Sequence, residues 1–115
     1  MFYQSMPLYL RLTKLLTLLY QLVQHFPKQH KYSLGEDVVQ LTWKMLDSFI
    51  YAQTGSLQKQ HKLDSIRTIH QHHERLKLRV RYCAELKLIS LKKQALLNQE
   101  LVEIGKMIGS WLKHV

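Results

Sequence analysis

The chain of 115 residues has little of what turns, strands and cross-links are built from. It contains four glycines and two prolines, and no stretch alternates apolar and polar residues as a half-buried strand does, which excludes a β-rich fold. One cysteine, Cys83, excludes an internal disulfide and favours a reducing compartment. Arg11 and Lys14 interrupt the apolar N-terminal stretch, and no small-residue cleavage site follows it. We therefore expect a cytoplasmic protein with neither a signal peptide nor a membrane span.

Acidic residues are also scarce. Eight Asp and Glu stand against seventeen Lys and Arg, which leaves a formal net charge of +9 with the histidines neutral. Residues 59–93 hold ten of the bases and three of the acids, a net of +7. This excess predicts an acidic partner. Nucleic acid fits better than a membrane surface, because the basic segment lacks a single apolar half flanked by charge.

Leucine, lysine and glutamine are abundant, and their spacing predicts helices joined by short links. The first helix begins at Pro7, which suits a first helical turn, and ends near His25. Ser33 and Glu36 form a predicted capping box that opens the second helix. Gly55 is the expected left-handed terminator of that helix.

The third helix follows Ser56 and is expected to be the longest, lying within residues 61–89. Ser90 can cap a fourth, whose apolar residues recur every three or four positions up to Trp111. Four helices with short links predict an all-α fold, an antiparallel up-down four-helix bundle. No composition shift marks a boundary, so residues 1–115 are expected to form a single domain.

The third helix has two apolar faces with positive charge between them. Its predicted core stripe is formed by Ile66, Ile69, His73, Leu76, Val80 and Cys83. A second stripe, nearly opposite, is formed by Leu78, Tyr82 and Ile89. A helix that packs against one core does not need a second apolar face. We therefore predict that these three residues form a contact between subunits of a homo-oligomer.

The sequence gives little support for metal binding or catalysis. His70, His72 and His73 are close together, but the carboxylate or thiolate partners usual in zinc sites are missing, and Glu-x-x-His pairs are absent. A polar contact in the helix seam for His73 and a wet surface for His72 are the favoured interpretations. No catalytic triad, phosphate loop or carboxylate pair can be assembled, so we expect no enzyme, no cofactor and no metal. Trp43 and Tyr51 are interpreted as packing residues.

The basic residues around the third helix are the candidate nucleic-acid-binding set: Arg67, Arg75, Lys77, Arg79, Arg81, Lys87, Lys92 and Lys93. A solvated face that keeps the protein soluble is the alternative. Acids at helical spacing are too few to neutralise these bases, and a cation in the first turn of the fourth helix opposes the helix dipole. No aromatic platform, recognition motif or zinc knuckle is visible, so binding is expected to show little sequence preference for RNA or DNA.

Three segments carry a resemblance to a known family. Residues 26–28 with 32–35 form the first, residues 75–89 with Arg81, Tyr82 and Cys83 the second, and residues 103–112 the third and most specific. They span the chain from about Leu8 to its end. The chain resembles the four-helix-bundle proteins that include the accessory variability determinant (Avd) of diversity-generating retroelements. Relatives in that family are encoded in intervening sequences of large-subunit ribosomal RNA genes.

The resemblance implies a non-catalytic basic accessory protein that forms a homopentameric ring. Such a ring would bind the retroelement's reverse transcriptase and template RNA, and would support mutagenic complementary-DNA synthesis. A ribosomal-intervening-sequence-type bundle, acting as a protein-interaction or general RNA-binding module, is the alternative. Two further hypotheses are a protein-only interaction bundle, which would bind partners independently of salt, and a histidine metalloenzyme, which elemental analysis would test.

Overall fold

Four long helices make up most of the computed structural model, which describes residues 3–55 and 58–114. We label them α1 (Pro7–Val23), α2 (Glu36–Thr54), α3 (Lys59–Glu85) and α4 (Leu91–Lys113). One 3-10 turn, Tyr3–Ser5, precedes α1. No strand occurs in the two described ranges, and the all-α prediction is confirmed. The predicted link at Ser56 lies outside the described residues.

The helices pack side by side around one apolar core. Helix α2 contacts α1 and α3, and α4 closes the arrangement by contacting both α3 and α1. Each helix contributes fully buried side chains, among them Leu12, Phe49, Ile69 and Ile104. The overall dimensions are 44 × 23 × 22 Å. No helix in the described part of the chain is both long and apolar enough to cross a bilayer.

The predicted helix starts at Pro7 and Ser90 are confirmed. Pro7 occupies the first turn of α1, where a missing backbone N–H costs nothing. The backbone N–H of Lys93 donates to Ser90 Oγ at 3.1 Å, so the serine caps α4. The predicted core stripe of α3 is confirmed as well, because all six of its members are buried.

The predicted capping box at Ser33 is wrong. Helical structure resumes five residues earlier, in a single turn at Lys28–His30 that follows the extended Pro27. A π-helical turn, Lys31–Gly35, then leads directly into α2. Ser33 therefore lies inside a helical segment and not at its start. Its hydroxyl donates to the carbonyl oxygen of Gln29 at 3.0 Å. Pro27 determines the start, because its carbonyl accepts the first hydrogen bonds of this segment.

Gly55 ends α2, but the predicted left-handed conformation is wrong. Its φ and ψ are −83° and −151°, which is extended backbone. The backbone N–H of Gly55 donates to the Tyr51 carbonyl at 2.8 Å. A Cβ atom at this position would lie 2.6 Å from that same oxygen. The position therefore favours glycine because of a close backbone approach, with no left-handed turn involved.

Helix α3 ends at Glu85, earlier than the predicted helical span through residue 89. The backbone N–H of Leu88 donates to the Cys83 carbonyl at 2.8 Å, and that of Lys87 to Ala84 at 3.0 Å. Lys87 has a φ of 58°, in the left-handed region. These features define a Schellman motif with lysine at the position where glycine is usual.

Candidate nucleic-acid interface

The basic side chains of α3 lie on two flanks of the helix. Arg75 and Arg79 are four residues apart and line the groove between α2 and α3. Lys77 and Arg81 project to nearly the opposite side, because residues two apart on a helix are separated by about 200°. The Lys77 ammonium also pairs with the Glu74 carboxylate at 2.7 Å. The structure therefore divides the predicted basic set.

The groove between α2 and α3 gathers positive charge from both helices. Lys44 of α2 joins Arg75 and Arg79 around a cavity of about 230 Å³, which Asp37 and Gln40 also line. None of the three cations forms an ion pair with a carboxylate in the described part of the chain. We call Lys44, Arg75 and Arg79 the basic groove. Sequence analysis missed Lys44, because an isolated lysine on another helix carries no local signal.

His72 lies beside the basic groove, and the charges of the groove affect its pKa. Burial lowers the pKa of its imidazole, and the charges of Arg75 and Lys44 lower it further. Its Nδ1 atom is buried without a hydrogen-bond partner in the described residues. The predicted wet surface is therefore wrong, since the side chain is half-buried. Arg75 and Lys44 therefore act on the same side chain, in agreement with their place on either side of the groove.

The remaining predicted nucleic-acid residues are exposed but lie apart from the basic groove. Arg67 is exposed on α3, two turns before Arg75. Lys87 lies in the turn after α3, and Lys92 and Lys93 lie in the first turn of α4. None of these side chains lines the α2–α3 cavity. They add to the positive electrostatic potential of the molecule but are not part of the basic groove.

The second apolar stripe of α3 differs from its predicted form. Leu78 and Tyr82 are 48% and 53% exposed, as a stripe facing outward requires. Ile89 lies beyond the end of α3 and is half-buried against the core, so its predicted place on the stripe is wrong. The third member is Leu86, which follows Tyr82 by one turn and is 46% exposed. We call Leu78, Tyr82 and Leu86 the outer stripe.

The predicted polar contact of His73 in the helix seam is confirmed. Its Nε2 atom donates to the Leu101 carbonyl of α4 at 2.8 Å. Burial lowers the pKa of His73, and this hydrogen bond partly opposes the shift. A Cβ atom on Gly105 would lie 3.0 Å from the ring, so the His73 side chain packs closely against this glycine. Among the described residues, no three His, Cys, Asp or Glu gather where a metal ion could bind.

An exposed aromatic cluster lies across α1 and α2. Trp43 is 40% exposed, and its Nε1 donates to the Tyr20 hydroxyl of α1 at 2.9 Å. Tyr32 in the π-helical turn is 66% exposed, and the Lys31 ammonium lies 5.9 Å from its ring centroid. The interpretation of Trp43 and Tyr51 as packing residues is wrong, since 40% and 56% of these side chains are exposed. Exposed aromatic side chains therefore lie close to the basic groove, a feature that the sequence did not indicate.

A buried carboxylate on α4 is a further feature that sequence analysis missed. Glu100 is 3% exposed, and both Arg11 and Lys14 of α1 reach its carboxylate oxygens at 3.1 Å. Burial alone raises the pKa of this carboxyl, but the hydrogen bonds from Lys14 and Arg11 outweigh that effect and lower it. Arg11 and Lys14 therefore have a structural partner, unlike the three cations of the basic groove.

Comparison with known proteins agrees with the resemblance found in the sequence. No curated protein that was compared with the chain matches it. A sequence model of the bAvd-like family matches residues 6–115, which is nearly the whole chain. The match covers all four helices, the basic groove and the outer stripe. The chain therefore belongs to the bAvd-like family.

Proposed function

We propose that this protein is a non-catalytic accessory protein of a diversity-generating retroelement. It binds the reverse transcriptase and the template RNA in the cytoplasm and supports mutagenic complementary-DNA synthesis. The family match over residues 6–115 supports the accessory role. The observation that carries RNA binding is the basic groove, where three cations from two helices lie together without a carboxylate partner in the described part of the chain.

The proposed binding mode is electrostatic. Phosphates of the template RNA would enter the groove, where guanidinium groups can hold a phosphate through two parallel hydrogen bonds. Binding would release counterions from the RNA, so affinity should fall steeply as salt rises. The other exposed bases of the predicted set, Arg67, Arg81, Lys87, Lys92 and Lys93, would strengthen the field around the groove.

We further propose that residues 1–115 form one antiparallel up-down bundle that assembles as a homopentameric ring. A closed ring of more than two subunits joins two different patches on each subunit. The outer stripe of α3 provides one apolar patch. Helix α4 offers candidates for the other, with Leu91, Leu96 and Val102 exposed by 84%, 37% and 55%. Ring closure would repeat the basic groove around one assembly and so multiply its field.

The test compares two charge reversals of equal size. Arg75→Glu with Arg79→Glu should lower RNA affinity by about 100-fold or more at low salt, because each reversal removes a phosphate contact and adds repulsion. Lys59→Glu with Lys113→Glu changes the net charge equally, away from the groove, and should cost less than about tenfold. Fluorescence anisotropy between about 50 and 200 mM salt measures both. Equal loss in the two variants would contradict a specific role for the groove.

Binding of the reverse transcriptase is tested separately. The unaltered protein should co-purify with the polymerase encoded by the same retroelement, and the complex should weaken as salt rises if charge contributes to it. RNA binding without any polymerase binding would contradict the accessory function. That outcome would favour the general RNA-binding module.

A further inference from the structure

Two neighbouring surface pockets have one lining residue in common. The first is the basic groove between α2 and α3, and the second lies between α1 and the start of α2. Gln40, on the exposed face of α2, lines both of them. The second pocket has a volume of about 330 Å³, within the usual range of roughly 300–1,000 Å³ for small-molecule sites. We call it the aromatic pocket.

The aromatic pocket combines rings, an apolar floor and a cation. Tyr20 and Tyr32 line it together with Lys31, while Val23, Gly35 and Val39 contribute apolar or uncharged surface. Trp43 lies next to it, held by its hydrogen bond to the Tyr20 hydroxyl. These three side chains are 40% to 66% exposed, although burial would stabilise them. Exposed aromatic side chains gathered around one pocket are a frequent feature of binding surfaces.

The π-helical turn is what presents Tyr32. A π turn widens the helix locally, and such turns are frequent at functional sites. Here the turn packs closely on α1: a Cβ atom on Gly35 would lie 2.8 Å from the Val23 side chain. Tyr32 is thereby carried on backbone that is held against α1, with Lys31 beside its ring. A platform on well-packed backbone loses less entropy on binding than one on a mobile loop.

Charge around the two pockets favours a polyanion. Four cations line them, namely Lys31, Lys44, Arg75 and Arg79. Two carboxylates, Glu36 and Asp37, line them as well, which leaves a net of two positive charges. Two rings and Lys31 lie on one side of Gln40, and three cations lie on the other. This arrangement matches a strand whose bases and phosphates are both accessible. Duplex RNA can contact the cations but not the rings, because its bases are already stacked and paired.

We propose that the aromatic pocket and the basic groove together bind single-stranded RNA. Unpaired bases stack on Tyr32, Tyr20 and Trp43, and the neighbouring phosphates lie against Lys44, Arg75 and Arg79. Stacking on aromatic side chains tolerates any base sequence, since every base has a π face. This inference rests on the proposed RNA binding and adds to it a preference for unpaired strands.

The test separates stacking from charge by changing only aromatic residues. Trp43→Ala and Tyr32→Ala should each weaken binding of a short unstructured RNA oligonucleotide by about tenfold, the usual scale for losing one stacked base. Affinity for the same strand annealed to its complement should change by less than about twofold, because paired bases offer no free face. Trp43→Phe keeps an aromatic face and should retain most of the single-strand affinity.

Tyr51→Ala is the matched control. Tyr51 lies on α2, as Trp43 does, and is 56% exposed, close to the 66% of Tyr32. It lines a cleft with Asp47 and Asp64. These carboxylates repel phosphate, so this variant should bind single-stranded RNA as the unaltered protein does. A loss equal to that of Tyr32→Ala would overturn the inference.

A spectroscopic signal locates the contact directly. The chain has two tryptophans, so Trp111→Phe leaves Trp43 as the only indole. Trp111 packs on Phe49 with ring centroids 5.5 Å apart, and phenylalanine keeps that contact apolar. Single-stranded RNA should quench Trp43 fluorescence in this variant, whereas the duplex should not. Equal quenching by both would overturn the inference.

The outcomes distinguish this inference from the proposed function. Full single-strand affinity in the aromatic variants, with loss in the Arg75 and Arg79 reversals, would overturn stacking and leave RNA binding standing. No RNA binding by the unaltered protein would overturn the proposed function, and the inference with it. A changed sedimentation coefficient in Trp43→Ala and Trp43→Phe would assign the pocket to a subunit contact and overturn the inference.

Discussion

At the scale of single residues, Glu100 is a buried carboxylate held by two cations. Its carboxylate is buried between α1 and α4, where Arg11 and Lys14 satisfy its oxygens. Removing one partner of a buried pair leaves the other desolvated, which is costly. Here the two cations are 36% and 62% exposed, so they could turn towards water. The cost of losing Glu100 is therefore moderate.

Glu100→Gln should destabilise the fold by about 1–3 kcal/mol at neutral pH, measured by urea unfolding. The effect should depend on pH, because the folded pKa of Glu100 lies below its unfolded value of about 4.3. This stabilisation is fully present above that value and is lost as the pH falls through the folded pKa. The difference between the unaltered protein and the variant should therefore shrink towards pH 3.

Glu74→Gln is the matched control for this prediction. Glu74 also pairs with a lysine, Lys77, but both side chains are about half exposed. An exposed pair at i,i+3 contributes at most about 0.5 kcal/mol, so this variant should unfold almost like the unaltered protein. A loss at Glu74 as large as that at Glu100 would show that burial is not the cause.

At the scale of elements, the end of α3 determines where the outer stripe stops. The Schellman motif places Lys87 at a φ of 58° and turns the chain inward, so that Leu88 and Ile89 pack against the core. Left-handed backbone is unfavourable for a residue with a Cβ atom, by about 1–2 kcal/mol. Glycine avoids that penalty, but it also makes the unfolded chain more flexible, and this offsets part of the gain in stability.

Lys87→Gly should therefore raise the free energy of unfolding by up to about 1 kcal/mol, seen as a higher urea midpoint with an unchanged slope. Lys87→Ala removes the same charge but keeps a Cβ atom, so it should show no such gain. Equal stabilisation by both would mean that relief of charge repulsion, and not the backbone conformation, is responsible.

At the scale of the whole molecule, the outer stripe is a feature that is unusual for a monomer, because it exposes large apolar side chains. The proposed ring would bury Leu78, Tyr82 and Leu86 between subunits. Tyr82→Glu should dissociate the assembly, because a carboxylate at an apolar contact must be desolvated. Sedimentation at micromolar concentration should then change from an oligomer to the 13.7 kDa chain, with helicity retained.

Tyr51→Glu provides the comparison for the ring, since it places the same charge at an equally exposed tyrosine outside the outer stripe. It should leave the sedimentation coefficient unchanged. An unaltered protein that sediments as a monomer at this concentration would contradict the ring. Dissociation by both variants would place the subunit contact elsewhere, or across both tyrosines.

The sequence by itself determined the four helices, the helix starts at Pro7 and Ser90, and the core stripe of α3. These features depend on residues three or four positions apart, so local spacing is sufficient to predict them. Predictions from local patterns were wrong at two positions, where the backbone conformation had a stronger effect than the side-chain spacing. Pro27 starts helical structure ahead of Ser33, and Lys87 turns the chain before Ile89 can join the outer stripe.

Only the tertiary structure decided which side chains meet. Arg11 and Glu100 are 89 positions apart, and Trp43 lies 23 positions from Tyr20. Lys44 joins Arg75 and Arg79 because α2 packs against α3, whereas Lys77 and Arg81 of the same helix are directed away. A one-dimensional pattern records how many cations a helix carries. Which of them share a groove depends on the packing of neighbouring helices, which residue spacing within one helix does not specify.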